Sequence, residues 1–533
     1  MLRLTEIKLP LDHPPEALRA AVLERLGIAT DALIGFSVYK RSYDARKRSA
    51  ILLIYTVDAT LEAGLEAMLA QRGIAHVGAS PDMAYRFVAQ APTPLRERPV
   101  IIGFGPCGLF AALVLAQMGF RPIVLERGKA VRERTRDTFG LWRGGRLDPE
   151  SNVQFGEGGA GTFSDGKLWS QIKDPKFYGR KVLQEFVQAG APEEILYVSK
   201  PHIGTFRLVS MIEKMRAGIE SLGGEIRFGS RVDDVLIDQG QVRGVRLADG
   251  EQIPCRHLVL AVGHSARDTF HMLHARGVHL EAKPFSIGFR IEHPQSLIDA
   301  ARFGASAGHP LLGAADYRLV HHCRNGRSVY SFCMCPGGTV VAATSEAGQV
   351  VTNGMSQYSR NERNANAGLV VGISPDDYPG GPLAGIEFQR HWERQAFVLG
   401  GGDYQAPGQR VGDFLRGRPS QALGAVLPSY TPGVRLGDLS SALPDYAIAA
   451  IREAIPALDR QLKGFAMPDA LLTGVETRTS SPIRITRGRD YQSVNTRGLY
   501  PAGEGASYAG GIYSAAIDGL EVAEAVALSM TGN

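Results

Sequence analysis

The sequence predicts an α/β chain built in three parts: a parallel-sheet domain, a β-rich domain inserted into it, and a small α+β unit ahead of both. Three observations carry this expectation. From Val100 to Glu126 an apolar strand, a glycine turn, an Ala/Leu helix and a second strand ending on an acid follow one another. A second glycine-rich turn and helix stand at the far end of the chain, from Gly498 onward. The first ninety residues alternate between period-2 and period-3.6 apolar patterning, the signature of strands and helices in one small sandwich.

Size and composition limit the function classes. The 533 residues suffice for two to four domains with a large core. The net charge of +5, with 44% hydrophobic and 21% charged residues, excludes a disordered or collagenous chain. It is also too weak a balance to imply nucleic acid or an anionic membrane. Glycine is in excess, 63 residues, and its freedom at φ > 0 or at close approach predicts loops that cradle a ligand. Five cysteines make no disulfide framework, no run is apolar enough to span a bilayer, and the N-terminus lacks a signal-peptide core. A cytoplasmic protein without a membrane partner is expected.

Residues 1–90 read as a separate unit. A strand over Leu2–Leu9, a helix over Pro15–Leu26, strands over Ile34–Tyr39 and Ala50–Val57, a helix over Leu61–Gln71 and a strand from Ile74 give βαββαβ, a ferredoxin-like order. Lys40, Arg41, Arg46, Lys47 and Arg48 cluster between the central strands, either as a phosphate-binding run or as a solvated hairpin. Residues 91–99 are Pro-rich and charged, a linker.

The strongest signal is Gly103-Phe-Gly105-Pro106-Cys107-Gly108 after Val100–Ile102. Gly103 permits the tight turn, Gly105 lets the backbone approach a pyrophosphate, and Gly108 lets helix and strand pack closely. The helix opening at Pro106 and Cys107 offers unpaired N–H groups to phosphates. Glu126, followed by Arg127, stands where an acid accepts hydrogen bonds from an adenosine ribose, and it repels a 2′-phosphate. This is a Rossmann-like unit that binds an ADP moiety.

The C-terminal run Tyr500-Pro-Ala-Gly503-Glu504-Gly505, followed by Gly510-Gly511-Ile512 and a helix, resembles FAD-binding oxidoreductases of the glutathione reductase-like and fumarate reductase-like fold. The resemblance implies that Gly503 and Glu504 meet the ribityl and pyrophosphate, with Glu504 standing where Asp is usual. It also implies that the helix at Gly510, Gly511 and Ile512 aims its N-terminus at the flavin. In such proteins a Gly/Ser-rich stretch after the first βαβ unit passes beside the flavin. Here that stretch is Gly156-Glu-Gly158-Gly159-Ala-Gly161-Thr162-Phe-Ser164-Asp-Gly-Lys167, with Ser164 and Lys167 facing the ring; a mobile surface loop is the alternative. A helix over Thr205–Leu222, a strand series to Leu247 and a strand ending Ala-Val-Gly263-His264 complete the look of an FAD domain. Taken together these segments resemble, over nearly the full length, an uncharacterised bacterial family of FAD-dependent dehydrogenases. The fold expected is a Rossmann-like FAD-binding domain (100–280 and 476–533) with an inserted β-rich substrate domain (281–475) and an N-terminal ferredoxin-like domain.

Residues 281–475 should hold the substrate site. Arg290 and His293 on the strand after Lys283 are placed either to bind an anionic substrate or as an edge-strand pair. Cys333 and Cys335 at i and i+2 share a strand face, as a redox dithiol or as small buried hydrophobes. With His321, His322 and Cys323 they match no structural zinc spacing, so no metal is expected. The polar run 354–366 suits a lining or lid, and Arg478 or Arg484 is placed to close over the flavin. The catalytic group is unnamed, with Lys167, His264, Arg290, Cys333 and Cys335 as candidates. The function expected is two-electron transfer through flavin N5 on a small molecule. With one complete nucleotide unit, NAD(P)H or another donor would dock only transiently. Two alternatives stay open: an RNA-associated flavoprotein that grips through the basic N-terminal run, and a protein in which FAD is structural or sensory.

Overall fold

The computed structural model describes residues 1–532. Strand β1 (Leu2–Pro10), helix α1 (Ala17–Leu26), strands β2 (Leu33–Asp44) and β3 (Leu52–Leu61), helix α2 (Leu65–Gln71) and strand β4 (Val77–Ala79) form the N-terminal unit. Its sheet order is β2-β3-β1-β4, all antiparallel, the ferredoxin-like arrangement expected. The hairpin is longer than the sequence suggests. β2 runs through Lys40 and Arg41 to Asp44, because Val38–Asp44 pairs with Leu52–Val57. Leu61 belongs to β3 and not to α2, so that helix starts four residues late. Nor does the unit stand apart: its apolar core is continuous with that of the inserted sheet, and Tyr43 meets Phe303 edge-on at 5.6 Å.

The central sheet explains where a ligand goes. Strand β5 (Val100–Ile102) leads through α3 (Pro106–Gln117) to β6 (Ile123–Leu125), then through α4 (Val131–Gly144), α5 (Tyr178–Gln188) and α6 (Thr205–Ser221) to β7 (Glu225–Arg227). The chain then makes an antiparallel meander of β8 (Val232–Asp238), β9 (Gln241–Leu247) and β10 (Gln252–Pro254), and returns as β11 (Leu258–Leu260) on the other side of β5. Leu499–Pro501 adds the outer strand, so all five strands run parallel in the order Leu499–Pro501, β11, β5, β6, β7. Strand order reverses between β5 and β11, and a crevice at the carboxyl ends of the strands is the geometric consequence. α3 and the C-terminal helix Ile512–Thr531 cover one face, packed so closely that a Cβ on Gly519 would fall 2.2 Å from the Cys107 carbonyl oxygen. Likewise a Cβ on Gly108 would fall 1.9 Å from the Gly103 carbonyl oxygen. Gly108→Ala is therefore expected to cost about 3 kcal/mol, the upper range for overpacking, read as a lowered midpoint in denaturant unfolding.

The inserted region is a seven-stranded mixed sheet in the order Val320–His322, Ser328–Cys335, Asn364–Ile373, Phe285–Pro294, Leu471–Glu476, Ala406–Arg410, Val434–Leu436. Helices Ala384–Gly400 and Asp445–Gln461 flank it, so the region is less purely β than its sequence suggests. Phe285–Pro294 is an interior strand, buried along nine of its ten residues, which overturns the edge-strand alternative for Arg290 and His293. Among the described residues no helix is long and apolar enough to cross a membrane.

Candidate functional site

A cleft of about 630 Å³ opens at the carboxyl ends of the parallel strands. Gly103, Gly105, Pro106 and Cys107 line it after β5, Glu126 and Arg127 after β6, Gly263 and His264 after β11, and Gly503 and Glu504 after the outer strand. The start of the C-terminal helix, Gly510, Gly511 and Ile512, lines it too, as do Gly159, Gly161, Ser164 and Lys167. Residues spread over four hundred positions thus meet as the glycine motifs predicted.

Glu126 is the anchor of the glycine loops. Its carboxylate is buried and accepts N–H bonds from Phe104 (2.8 Å), Gly128 (2.9 Å) and Gly156 (2.9 Å). Oε2 carries only the Phe104 bond, so an acceptor site remains for a ribose hydroxyl. Gly105 approaches Gly159 so closely that a Cβ on Gly159 would fall 2.8 Å from the Gly105 Cα. That contact carries the Gly/Ser-rich stretch into the cleft wall. By contrast, a Cβ on Gly510 or Gly511 would meet no protein atom within 4 Å. Packing of the chain does not require glycine there, while a ligand occupying the cleft does. The residues fit FAD: an acid for the ribose, a helix N-terminus at α3 for phosphate, a second at Ile512–Thr531 for the flavin edge, and unfilled glycine positions between them.

Three of the residues expected at the cofactor stand elsewhere. Gly108 serves helix–strand packing. Gly158 faces Ile212, where a Cβ would fall 2.5 Å from Cδ1. Thr162 is buried beneath the loop, its Oγ1 accepting from Arg134. Arg127 lines the rim, stacked 4.2 Å over Phe155 and paired with Glu150 and Asp268.

The catalytic candidates separate. Lys167 forms an ion pair with Asp165 at 3.0 Å and donates to the Met334 carbonyl. Burial works against its charge, but Asp165 and the nearby thiols outweigh it and raise its pKa. It stands in the cleft wall as a cation. His264 is pushed down to about 3 by burial and by Arg478 and Arg267, so its ring is neutral, with Nδ1 3.0 Å from Ser265 Oγ. Arg290 is withdrawn. It is fully buried, donates to Glu476 at 2.9 Å, Asn353 at 2.8 Å and the Cys333 carbonyl at 2.8 Å, and does not line the cleft. His293 is buried against the Phe465 carbonyl. Cys333 lines the cleft and Cys335 lies behind it, buried. Arg478 lines the cleft as expected, whereas Arg484 is exposed on the strand Ile483–Ile485.

Other residues matter that the motifs do not announce. Arg134 is wholly buried and donates to the carbonyls of Asn152, Val153 and Glu157, each at 2.7 Å, holding the Gly/Ser-rich stretch in place. Its signal was helical spacing: with Val131, Thr138 and Leu141 it falls on the buried stripe of α4. Arg267, Glu393 and Arg478 form a buried triad, Glu393 receiving Arg267 at 2.8 Å and Arg478 at 2.9 Å. His321, Cys323 and Glu453 lie within 4.8 Å of one another away from the cleft. Cys323 already donates to the Ala450 carbonyl and Glu453 accepts from the Arg324 N–H, which accounts for the grouping.

Burial pushes the Glu504 carboxyl up to about 7, with Lys283 opposing. A raised carboxyl holds its proton more tightly in the folded chain, so its contribution is present at the acid end and lost as pH rises toward 7. Flavin-free protein is therefore expected to lose stability between pH 5 and pH 8. In Glu504→Gln that slope should flatten, as read by urea unfolding at several pH values.

The fold and cleft fit an FAD-dependent protein. Residues 284–479 match the family described as FAD-dependent protein, C-terminal domain-like, and residues 1–60 match a domain of unknown function. An uncharacterized protein of Clostridium beijerinckii is 47% identical over 531 residues, 98% of each chain, and this chain belongs to the same family of FAD-dependent proteins. Among solved structures, the flavin-dependent brominase Bmp2 is similar at 13% identity, covering 82% of this chain and 80% of its own, with a TM-score of 0.37. A geranylgeranyl bacteriochlorophyll reductase-like protein of Thermoplasma acidophilum is similar at 12% identity, covering 82% and 79%, with a TM-score of 0.36.

Proposed function

We propose that the protein transfers two electrons, as a hydride, between a small anionic molecule and its flavin, with NAD(P)H or another diffusible donor docking transiently. One observation carries the reading. A second cavity, of about 860 Å³, meets the cleft at Lys167, Trp169 and Ser170, and its wall carries Lys40, Arg41, Arg46, Lys200, Arg302 and Arg360. Asp44, Lys200's partner Asp316 and Glu194 offset part of that charge. Lys40 and Arg41 have no carboxylate partner among the described residues, and the Arg302 Nε is buried without an acceptor. A cavity so lined suits a carboxylate or phosphate, and the indole of Trp169 offers a flat apolar surface at the junction.

Bound FAD supplies a hydride-accepting N5 and a two-electron couple. The chain supplies the rest. Glu126 orients the ribose, the N-terminus of Ile512–Thr531 and the Lys167 ammonium favour negative charge at that end of the cleft, and Arg41 and Lys40 attract the substrate anion. Lys40, Arg41 and Arg46 of the basic run line a cavity of small-molecule size, which favours a small anion over RNA for these three.

The test is anaerobic titration of the flavin-loaded protein with NADH and with NADPH, followed in the visible spectrum. The reading predicts bleaching by at least one, and reoxidation of the bleached flavin by an added anionic oxidant at a rate that falls more than tenfold in Lys40→Glu/Arg41→Glu. A flavin that no donor bleaches would leave FAD a structural or sensory ligand.

A further inference from the structure

The strand Ser328–Cys335 does not run straight to its end. Its pairing with Asn364–Ile373 is regular from Val329 to Phe332, then slips before Cys335, so that Cys333 and Met334 bulge from the ladder. Cys333 takes φ +41°, a left-handed conformation rare for a residue with a side chain. The bulge is held from both sides by cations: Arg290 donates to the Cys333 carbonyl and Lys167 to the Met334 carbonyl. It turns Cys333 into the flavin cleft, where it shares the wall with Lys167, Glu504 and Gly511. Cys335 sits directly behind, fully buried, its thiol donating to the Cys333 carbonyl at 3.4 Å. Room for that second sulfur is made by glycine, since a Cβ on Gly354 would fall 2.9 Å from it.

These two thiols differ from the other three. Cys107, Cys255 and Cys323 are buried, each with its pKa raised by burial. Cys333 alone is partly exposed, and the neighbouring Cys335 thiol together with Lys167 and Arg290 pulls its thiol well down. A thiolate in an electropositive, accessible place is the reactive form, and a protonated neighbour behind it is the arrangement of a nucleophile and its resolving partner.

We propose that Cys333 and Cys335 form an internal dithiol–disulfide couple that exchanges two electrons with the flavin. The inference rests on the flavin reading of the cleft. In the reducing direction reduced flavin gives up two electrons and its N5 proton; the S–S bond breaks, leaving Cys335 as a thiol, Cys333 as a thiolate and the flavin oxidised. In the opposite direction the Cys333 thiolate and the Cys335 thiol lose two electrons and that one proton to oxidised flavin as the S–S bond forms. Because Cys335 has no exposed surface, Cys333 is the sulfur that meets the cleft in both directions.

The experiment counts thiols and electrons on the full-length protein. Holoenzyme treated with diamide, freed of reagent, then denatured and alkylated with N-ethylmaleimide should carry three labels, against five after dithiothreitol. The peptide holding Cys333 and Cys335 should be lighter by about 2 Da. Anaerobic dithionite titration of the oxidised holoenzyme should consume two two-electron equivalents per FAD, and alkylation afterwards should recover all five labels. Cys333→Ser and Cys335→Ser should each consume one equivalent, while Cys255→Ser should behave as wild type. Five labels after diamide, or one equivalent with the two labels still missing after the flavin is reduced, would overturn the proposal. Protein that binds no flavin yet loses two labels would contradict the flavin reading and leave the disulfide standing. The label count on the wild-type chain does not depend on any variant folding.

Discussion

Glu126→Ala protein is expected to purify without flavin and to bind added FAD at least a hundredfold more weakly than wild type. The reason is twofold. The carboxylate is the acceptor left for the ribose, and it also holds the N–H groups of Phe104, Gly128 and Gly156. Removing it strands three buried donors on three loops of the cleft, and each unsatisfied donor costs about 1–3 kcal/mol. The stability loss should therefore reach about 3 kcal/mol or more, seen as a lower denaturation midpoint in the flavin-free state. Glu126→Gln keeps one acceptor oxygen and should fall between the two. A Glu126→Ala protein that keeps its flavin would show that the loops are held by other contacts.

The second large effect is expected at Glu393. Its carboxylate is fully buried and receives Arg267, Arg478 and the Thr477 hydroxyl. These residues tie the segment after β11, the helix Ala384–Gly400 and the segment after the strand Leu471–Glu476 into one joint. Glu393→Ala leaves two buried guanidiniums beside each other with Glu346, which meets Arg267 at 3.2 Å, as their remaining counter-charge, and breaking one partner out of a buried network costs about 3 kcal/mol. Burial alone would raise the Glu393 carboxyl, but the two arginines outweigh it and hold it far below the usual range. The sign of the pH dependence follows. A depressed carboxyl contributes stability that is fully present above about pH 4.5 and is lost as pH falls further. Wild type should therefore lose more stability than Glu393→Gln between pH 5 and pH 3, a difference that urea unfolding measures directly. Equal slopes would mean that the triad does not carry the joint.

How much of this was legible in the sequence depends on the range of the interaction. The Gly103–Gly108 turn, the acid at 126 and the Gly510–Ile512 helix start are local, since each is fixed by neighbouring φ/ψ demands and by helix-end chemistry. The βαββαβ order of the N-terminal unit was legible for the same reason, as periodicity and turn residues report on adjacent elements. Partnerships across the chain were not. Arg290 reads as a free cation on a strand, yet it is spent on Glu476, 186 residues away. Arg478 reads as a cation placed to close over the flavin, and nothing local shows that folding brings Glu393 between it and Arg267. Gly158 and Thr162 sit inside a glycine-rich run that reads as uniform, while the 3-10 turn Ala160–Phe163 puts Ala160 and Gly161 in the cleft wall and buries Thr162 and Phe163. Arg134 shows the intermediate case, where a charge on the buried stripe of a helix was a visible sign of a structural cation.

The central claim is that the cleft at the carboxyl ends of the five parallel strands holds FAD. It is tested most directly by adding FAD to flavin-free protein and following binding by equilibrium dialysis and the visible spectrum, for wild type and for Gly511→Val. A Cβ there meets no protein atom within 4 Å, so the added side chain starts into the space assigned to the flavin. The structure-based account predicts one FAD per wild-type chain and a loss of binding in Gly511→Val at unchanged denaturation midpoint. FAD bound equally by both proteins, or by neither, would contradict it.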